Sequence, residues 1–238
     1  MRIALFSDIH ANLPAFEELL KDLDSKKADA IYCLGDLVGY NIWPNEIIYE
    51  IRKRGIATLV GNHDLKVKTL SQISTEELAG TGKDYAYHII EPENRAYLLT
   101  LPSHIKLEFK LDGQIINLLM VHGSPRSVDE YVLENTDSVY VTELMNESGA
   151  NILCVGHSHI PYHRIISRDK QVINIGSAGK PKDGNPQGCY VMLTLNESAH
   201  DPIKVDFIRF DYDVEKAANG VEQSPLPDEF AERLRKGI

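Results

Sequence analysis

The chain has 238 residues, 43% of them hydrophobic and 25% charged, the balance of an ordinary globular protein with one large domain, 1–238, and room for an insertion within it. A formal net charge of −10 argues against a broad nucleic-acid surface, which normally presents a basic face. Cys33, Cys154 and Cys189 each sit inside an apolar run with no Cys-x-x-Cys, so they read as small core residues in a reducing compartment. Residues 1–8 reach a carboxylate too soon for a signal-peptide core, and no stretch is apolar enough to span a bilayer. A cytoplasmic protein without a membrane partner is therefore expected.

In chain order, Ile3–Phe6 reads as a buried strand leading into Ser7-Asp8-Ile9-His10. Asn12 is placed to cap, and Pro14 to open, a helix over Pro14–Leu23. A second strand spans residues 30–38 and carries Gly35-Asp36; the helix Pro44–Arg54 follows, closed by Gly55. Ile56–Val60 then leads into Gly61-Asn62-His63-Asp64. Strand, helix, strand, helix, strand at this spacing predicts a parallel sheet, in which ligands gather outside the carboxyl ends of the strands. Over 65–101 the pattern turns helical at Ser74–Leu78 and Glu93–Leu99. This segment is either a cap-like insertion over the site or an ordinary surface excursion. The second half is rich in strands: 104–111, a hairpin turn at Asp112-Gly113, then 114–121, 151–155, 162–168, 171–175, 188–195 and 203–210. A second hairpin is expected at Arg168-Asp169-Lys170, with helices over Asp137–Met145 and Leu226–Leu234.

Five of the apolar runs end on ligand-type side chains, the fourth on His122-Gly123 and the fifth on Gly156-His157-Ser158-His159. On a continuing strand His157 and His159 would face opposite ways. On a loop both imidazoles can turn to one point, as metal ligands do. Asp8-x-His10, Gly35-Asp36, Gly61-Asn62-His63-Asp64, His122-Gly123 and Gly156-His157-x-His159, in that order, resemble the calcineurin-like metallophosphoesterase family over essentially the whole chain.

The resemblance implies an α/β fold: a four-layer αββα sandwich of two mixed sheets flanked by helices, with two metals at the strand ends. It also implies that Asp8, His10 and His159 hold one metal, that Asn62, His122 and His157 hold the other, and that Asp36 bridges them. The chemistry agrees, because a bridging ligand needs two charged oxygens, which only a carboxylate offers. A mixed N/O shell suits Mn, Fe, Zn or Ni more than Mg or Ca. The implied reaction is hydrolysis of a phosphodiester or phosphoanhydride by a hydroxide shared between two ions, with His63 protonating the leaving oxygen or stabilising its charge. Gly35, Gly61 and Gly156 are expected to let the chain turn sharply before each ligand.

Gly35–Asn41 lacks the acid and the arginine found at this place in protein Ser/Thr phosphatases. With Pro44-Asn45-Glu46 and residues 174–186 it resembles instead the small prokaryotic phosphodiesterase branch, some of whose members cleave diadenosine polyphosphates. Ala11 stands where that branch usually has glycine. Candidate substrate contacts are Asn12, the backbone of Gly176-Ser177 (or a tight turn), and Arg126 with Lys180 and Lys182, which otherwise read as solvated surface charge. Tyr40 and Trp43 flank the second ligand loop; Trp43 could stack a base or fill the core. His88, His104, His163 and His200 lie outside the motifs and read as surface or core residues. The partner expected is a small phosphate ester or nucleotide. A broad-specificity phosphomonoesterase is the runner-up within the enzyme class. A non-catalytic protein-binding scaffold is the alternative from another class, disfavoured because such scaffolds tend to lose the histidine that stands here as His63.

Overall fold

Ile3 and Leu5 face one way along the first strand and Ala4 and Phe6 the other, and all four are fully buried. A strand with apolar residues on both faces must be covered on both faces, and that requirement generates the layers. The computed structural model describes residues 1–111, 113–196 and 202–238. Its strands are β1 (Arg2–Phe6), β2 (Ala30–Cys33), β3 (Ala57–Thr58), β4 (His104–Leu111), β5 (Gln114–Val121), β6 (Ile152–Val155), β7 (Tyr162–Ser167), β8 (Lys170–Asn174), β9 (Gly188–Leu195) and β10 (Ile203–Phe210).

They form two mixed five-stranded sheets, ordered β10-β9-β1-β2-β3 and β4-β5-β6-β8-β7. In the first, β1–β2 and β2–β3 are parallel while β9 runs antiparallel to both β1 and β10. In the second, β5–β6 and β6–β8 are parallel, with antiparallel hairpins β4–β5 and β7–β8 at the edges. Ile3, Leu5, Leu118, Met120, Ile152, Cys154, Val191 and Leu193 fill the space between the sheets. Ala4 and Phe6 face outward onto the helices α1 (Leu13–Lys26) and α2 (Pro44–Arg54).

Residues 65–101 carry three short helices, α3 (Thr75–Leu78), α4 (Tyr85–His88) and α5 (Pro92–Leu98). On the far side, Leu119, Val121, Leu153 and Val155 pack against α6 (Ser138–Ser148), completing the four layers that the motif order implied. The chain ends in α7 (Val214–Glu222) and α8 (Asp228–Lys236), which share an apolar cluster around Ala218, Val221, Ala231 and Leu234.

The strand expected over 30–38 stops at Cys33, because Gly35, Asp36, Gly39 and Tyr40 all take left-handed backbone. The run 56–60 likewise pairs only at Ala57–Thr58. Helix α7 was not foreseen; Asp213 caps it by accepting from the Lys216 N–H at 2.8 Å, and its buried residues are mostly alanines that give little periodic signal. The closing helix begins at Asp228 rather than Leu226, since Pro227 occupies the cap position. Leu111 pairs with Gln114 across the expected hairpin, whose Asp112 lies outside the described residues, as does His200. Among the described residues no helix is long and apolar enough to cross a membrane.

Candidate metal centre

The parallel strands β1, β2 and β3 in one sheet and β5 and β6 in the other deliver five loops to the same end of the sandwich. Asp8, His10, Asp36, His157 and His159 all hold left-handed backbone, with φ between 51° and 63°. Such conformations cost non-glycine residues of the order of 1 kcal/mol or more each and persist only where surrounding bonds impose them. Here the Asp8 N–H donates to Gly35 O at 3.0 Å, that of His10 to Asp36 O at 3.0 Å, and that of Ala11 to Leu37 O at 2.8 Å. Ala11 itself sits at φ 54°, which accounts for the glycine usual at this place.

Asp8, His10, Asp36 and His159 bring ligand atoms within 4.8 Å of one another, all buried. His159 Nε2 stands 3.1 Å from Asp8 Oδ1, and His10 Nε2 stands 3.5 Å from Asp36 Oδ2. On the other side of Asp36, His122 Nε2 lies 3.4 Å from the same Oδ2 and 3.2 Å from Asn62 Oδ1. The His157 ring follows at 5.1 Å from that of His122, with its Nε2 3.2 Å from Asp129 O, so Nδ1 is the nitrogen left for a ligand role. All seven expected ligands thus converge, and Asp36 Oδ2 lies between the two groups.

Two observations show that this donor set fits cations. The His157 N–H donates to Asp8 Oδ2 at 3.1 Å and the His63 N–H to Asp36 Oδ1 at 2.8 Å. Among the described residues the other oxygens, Asp8 Oδ1 and Asp36 Oδ2, are buried without a hydrogen-bond partner. Native structures rarely leave such oxygens unmatched unless an ion or water completes them. The second observation is tautomeric. His10, His122 and His159 each place Nδ1 against a backbone carbonyl, of Val38 at 3.0 Å, Leu34 at 2.8 Å and Lys180 at 2.5 Å. A carbonyl only accepts, so each Nδ1 carries a proton and Nε2 is the nitrogen left to face a cation. His10 Nε2 and His159 Nε2 face each other at 3.1 Å, an arrangement of two lone pairs that a cation reconciles.

Burial alone would raise the carboxyls of Asp8 and Asp36, but His159 and His10 around the first and His122 and His63 around the second hold both below the usual carboxylate range. Burial drives His159 down to about 4, so it is neutral at pH 7 and ready to ligate. Burial would also lower His122, yet Asp36 outweighs it and raises His122 to about 10. A divalent ion bound there takes the place of that proton.

The residues expected to touch substrate stand in different surroundings. Asn12 is fully buried and bonded at both ends of its amide: its Oδ1 accepts from Ala15 N–H at 3.2 Å as the cap of α1, and its Nδ2 donates to Gly179 O at 2.7 Å. Ser177 Oγ donates to Asp8 O at 2.7 Å and accepts from Lys180 N–H at 2.8 Å, so it braces the first ligand loop. The Gly176 N–H is taken by Asn174 Oδ1 at 3.0 Å. Trp43, half-buried, packs over Gly220 where α2 begins beside α7 and borders a cavity there. Arg126 forms an exposed pair with Glu147 at 2.7 Å beside a separate cavity of about 330 Å³ lined by Ser103 and Lys106.

Tyr40 does stand at the centre, edge-on to His10 with centroids 4.8 Å apart. Lys180, expected to be solvated, is only 2% exposed, and its ammonium lies 4.8 Å above the Tyr40 ring. The expectation for the glycines holds at Gly35, with φ 94°, but not at the other two. A methyl on Gly61 would collide with the Asp36 carboxylate, and one on Gly156 would come within 2.8 Å of Asp8 Oδ2, so both are glycine to let a ligand approach.

The sequence reading assigned no role to Asp64, the last residue of the third motif. Its buried carboxylate accepts from the N–H groups of Asp36, Leu37 and Gly61, each at 2.9 Å, and so splices two ligand loops together.

Buried carboxylates and imidazole nitrogens at the strand ends of an αββα sandwich form a cluster that could hold metal. Residues 1–198 match the model of the calcineurin-like phosphoesterase superfamily domain, and the chain belongs to that family. An uncharacterised protein of Methanocaldococcus jannaschii is 31% identical over 99% of this chain and 98% of its own. The crystal structure of a metallophosphoesterase from Sphaerobacter thermophilus superposes with a TM-score of 0.78 at 27% identity, covering 100% of this chain and 99% of that one. A hypothetical protein from Pyrococcus horikoshii shares the fold, with a TM-score of 0.80 at 21% identity over 100% and 98% of the two chains. The protein is a metallophosphoesterase, and its buried Asp/His cluster is a candidate divalent-metal site.

Proposed function

We propose that the enzyme hydrolyses phosphodiester or phosphoanhydride bonds, with dinucleoside polyphosphates as a substrate class, at a centre of two divalent transition ions. Asp8, His10 and His159 would hold one ion and Asn62, His122 and His157 the other, with Asp36 shared. The observation that carries this reading is the pair of buried, unmatched oxygens, Asp8 Oδ1 and Asp36 Oδ2, faced by imidazole nitrogens on both sides. When bound, the ions supply a nucleophile from water at neutral pH and neutralise charge on the phosphoryl oxygens. Three buried, unpaired cysteines fit a reducing compartment such as the cytoplasm.

His63 adjoins Asn62, and its ring centroid lies 4.9 Å from that of His10, yet it is not one of the proposed ligands. Its role is to donate a hydrogen bond to the departing oxygen and so stabilise its developing charge. Residues 65–101 reach this side of the centre through Lys66 and Tyr87, which supports reading them as a cap-like insertion within one domain.

A panel of bis-p-nitrophenyl phosphate, p-nitrophenyl phosphate and diadenosine tetraphosphate, run with Mn, Fe, Zn and Ni, tests the proposal. Metal-dependent cleavage of the diester and of the polyphosphate is expected. Release of inorganic phosphate from the monoester, with both others untouched, would select the phosphomonoesterase instead. On a diester with a poor, alkyl leaving group His63→Gln is expected to lower turnover about 10²–10⁴-fold while leaving the bound metal unchanged.

A further inference from the structure

The histidine beside the ligand set is held differently from the ligands. His63 Nδ1 faces the hydroxyl of Tyr87, a residue only 2% exposed in α4, with the two rings near parallel at 25°. Lys66 Nζ donates to the same hydroxyl oxygen at 3.2 Å. An ammonium has hydrogens and no lone pair, so the phenol oxygen accepts from Lys66 and its own hydrogen is free for Nδ1. An imidazole that accepts at Nδ1 carries its proton on Nε2. This is the reverse of His10, His122 and His159, whose Nδ1 atoms donate to carbonyls and leave Nε2 to face a cation.

We infer that Tyr87, oriented by Lys66, is a positioning residue that fixes His63 as the Nε2–H tautomer, which withholds it from the metals and makes it a hydrogen-bond donor to the leaving oxygen. The inference rests on the role proposed above for His63.

The surroundings are shaped for this pair. A methyl at Gly39 would lie 2.7 Å from His63 Nδ1 and 2.8 Å from the Tyr87 hydroxyl, so only glycine lets the two side chains meet. The Arg95 guanidinium donates to Tyr87 O at 2.8 Å and Val67 O at 2.8 Å, clamping the segment that carries Tyr87 to the turn that carries Lys66.

The test compares wild type, Tyr87→Phe, Lys66→Met, His63→Gln and the Tyr87→Phe/His63→Gln double variant, all metal-loaded, on phosphodiesters whose leaving alcohols span a wide pKa range. A poor leaving group needs a hydrogen in the transition state and p-nitrophenolate hardly does. Tyr87→Phe should therefore lower kcat about 10–10²-fold on alkyl esters and under about 3-fold on the nitrophenyl ester, with KM and metal content unchanged. Lys66→Met should give a weaker version of the same pattern, and the double variant should be no slower than His63→Gln.

If Tyr87→Phe keeps the wild-type dependence on the leaving group while His63→Gln is impaired, the inference fails and the role of His63 stands. If His63→Gln is itself unimpaired, that role fails. Nitrogen-15 shifts of His63 in the unmutated Zn-loaded enzyme give an answer that needs no variant to fold. A protonated Nε2 supports the inference; a protonated Nδ1 overturns it.

Discussion

Asp36→Asn is expected to lower turnover by about 10³-fold or more, since the several kcal/mol that a metal ion contributes to a transition state depend on holding it. In the wild type Asp36 Oδ1 is committed to the His63 N–H at 2.8 Å, and Oδ2 faces His10 at 3.5 Å and His122 at 3.4 Å. An amide has one oxygen for these two tasks. It must either abandon the His63 backbone or turn an NH₂ group, a pure donor, toward the place where cations are drawn. Binding of an ion at 100 times its Kd stabilises a folded protein by about 2.7 kcal/mol. The rise in melting temperature on adding Mn²⁺ should therefore shrink sharply in the variant. Scanning calorimetry with and without Mn²⁺, beside kcat on the nitrophenyl diester, checks both effects. Wild-type values in both would remove Asp36 from the shared position.

Asp64→Ala should have the largest effect on stability. Its carboxylate serves three backbone N–H groups, of Asp36, Leu37 and Gly61, in a fully buried place. Leaving a buried donor unmatched costs about 1–3 kcal/mol, so the truncation should cost about 3–5 kcal/mol after relaxation and water entry, at the upper end for a single substitution. At about 2–4 °C per kcal/mol for a chain of this size, the melting temperature should fall by roughly 10 °C. Because the same bonds aim Asp36 and the loop that carries Asn62, metal affinity should fall about 10–100-fold as well. Urea unfolding and calorimetric Mn²⁺ titration measure the two. Asp64→Asn, which keeps one acceptor oxygen, should fall between; an alanine variant with the wild-type midpoint would show the splice to be dispensable.

The layers and the gathering of Asp8, His10, Asp36 and His159 were legible in the sequence because both are written locally. Ile3 and Leu5 alternate with Ala4 and Phe6, and the strand that these residues define is buried on both faces. Each ligand follows directly on an apolar run, and parallel topology carries all such run-ends to one side. What the sequence hid are contacts between distant residues. Lys180 looks like a solvated cation until β8 and the loop after it fold it over Tyr40. Asn12 and Ser177 have the chemistry of phosphate contacts, but the adjoining backbone claims their polar atoms. Trp43 meets Gly220, a neighbour 177 positions away that no local pattern announces. Tyr87 belongs to no motif; its importance arises from meeting His63 across 24 residues of chain. Asp64 stood in plain view within a motif, yet an acidic residue beside ligands reads as another ligand or as nothing until its three donors are seen.

Anomalous scattering from crystals grown with Mn²⁺ tests most directly whether these loops enclose a pair of cations. Two peaks about 3.5–4 Å apart are expected, one against Asp8, His10 and His159 and the other against Asn62, His122 and His157, with Asp36 touching both. A single peak, or two that do not share the Asp36 carboxylate, would contradict the account.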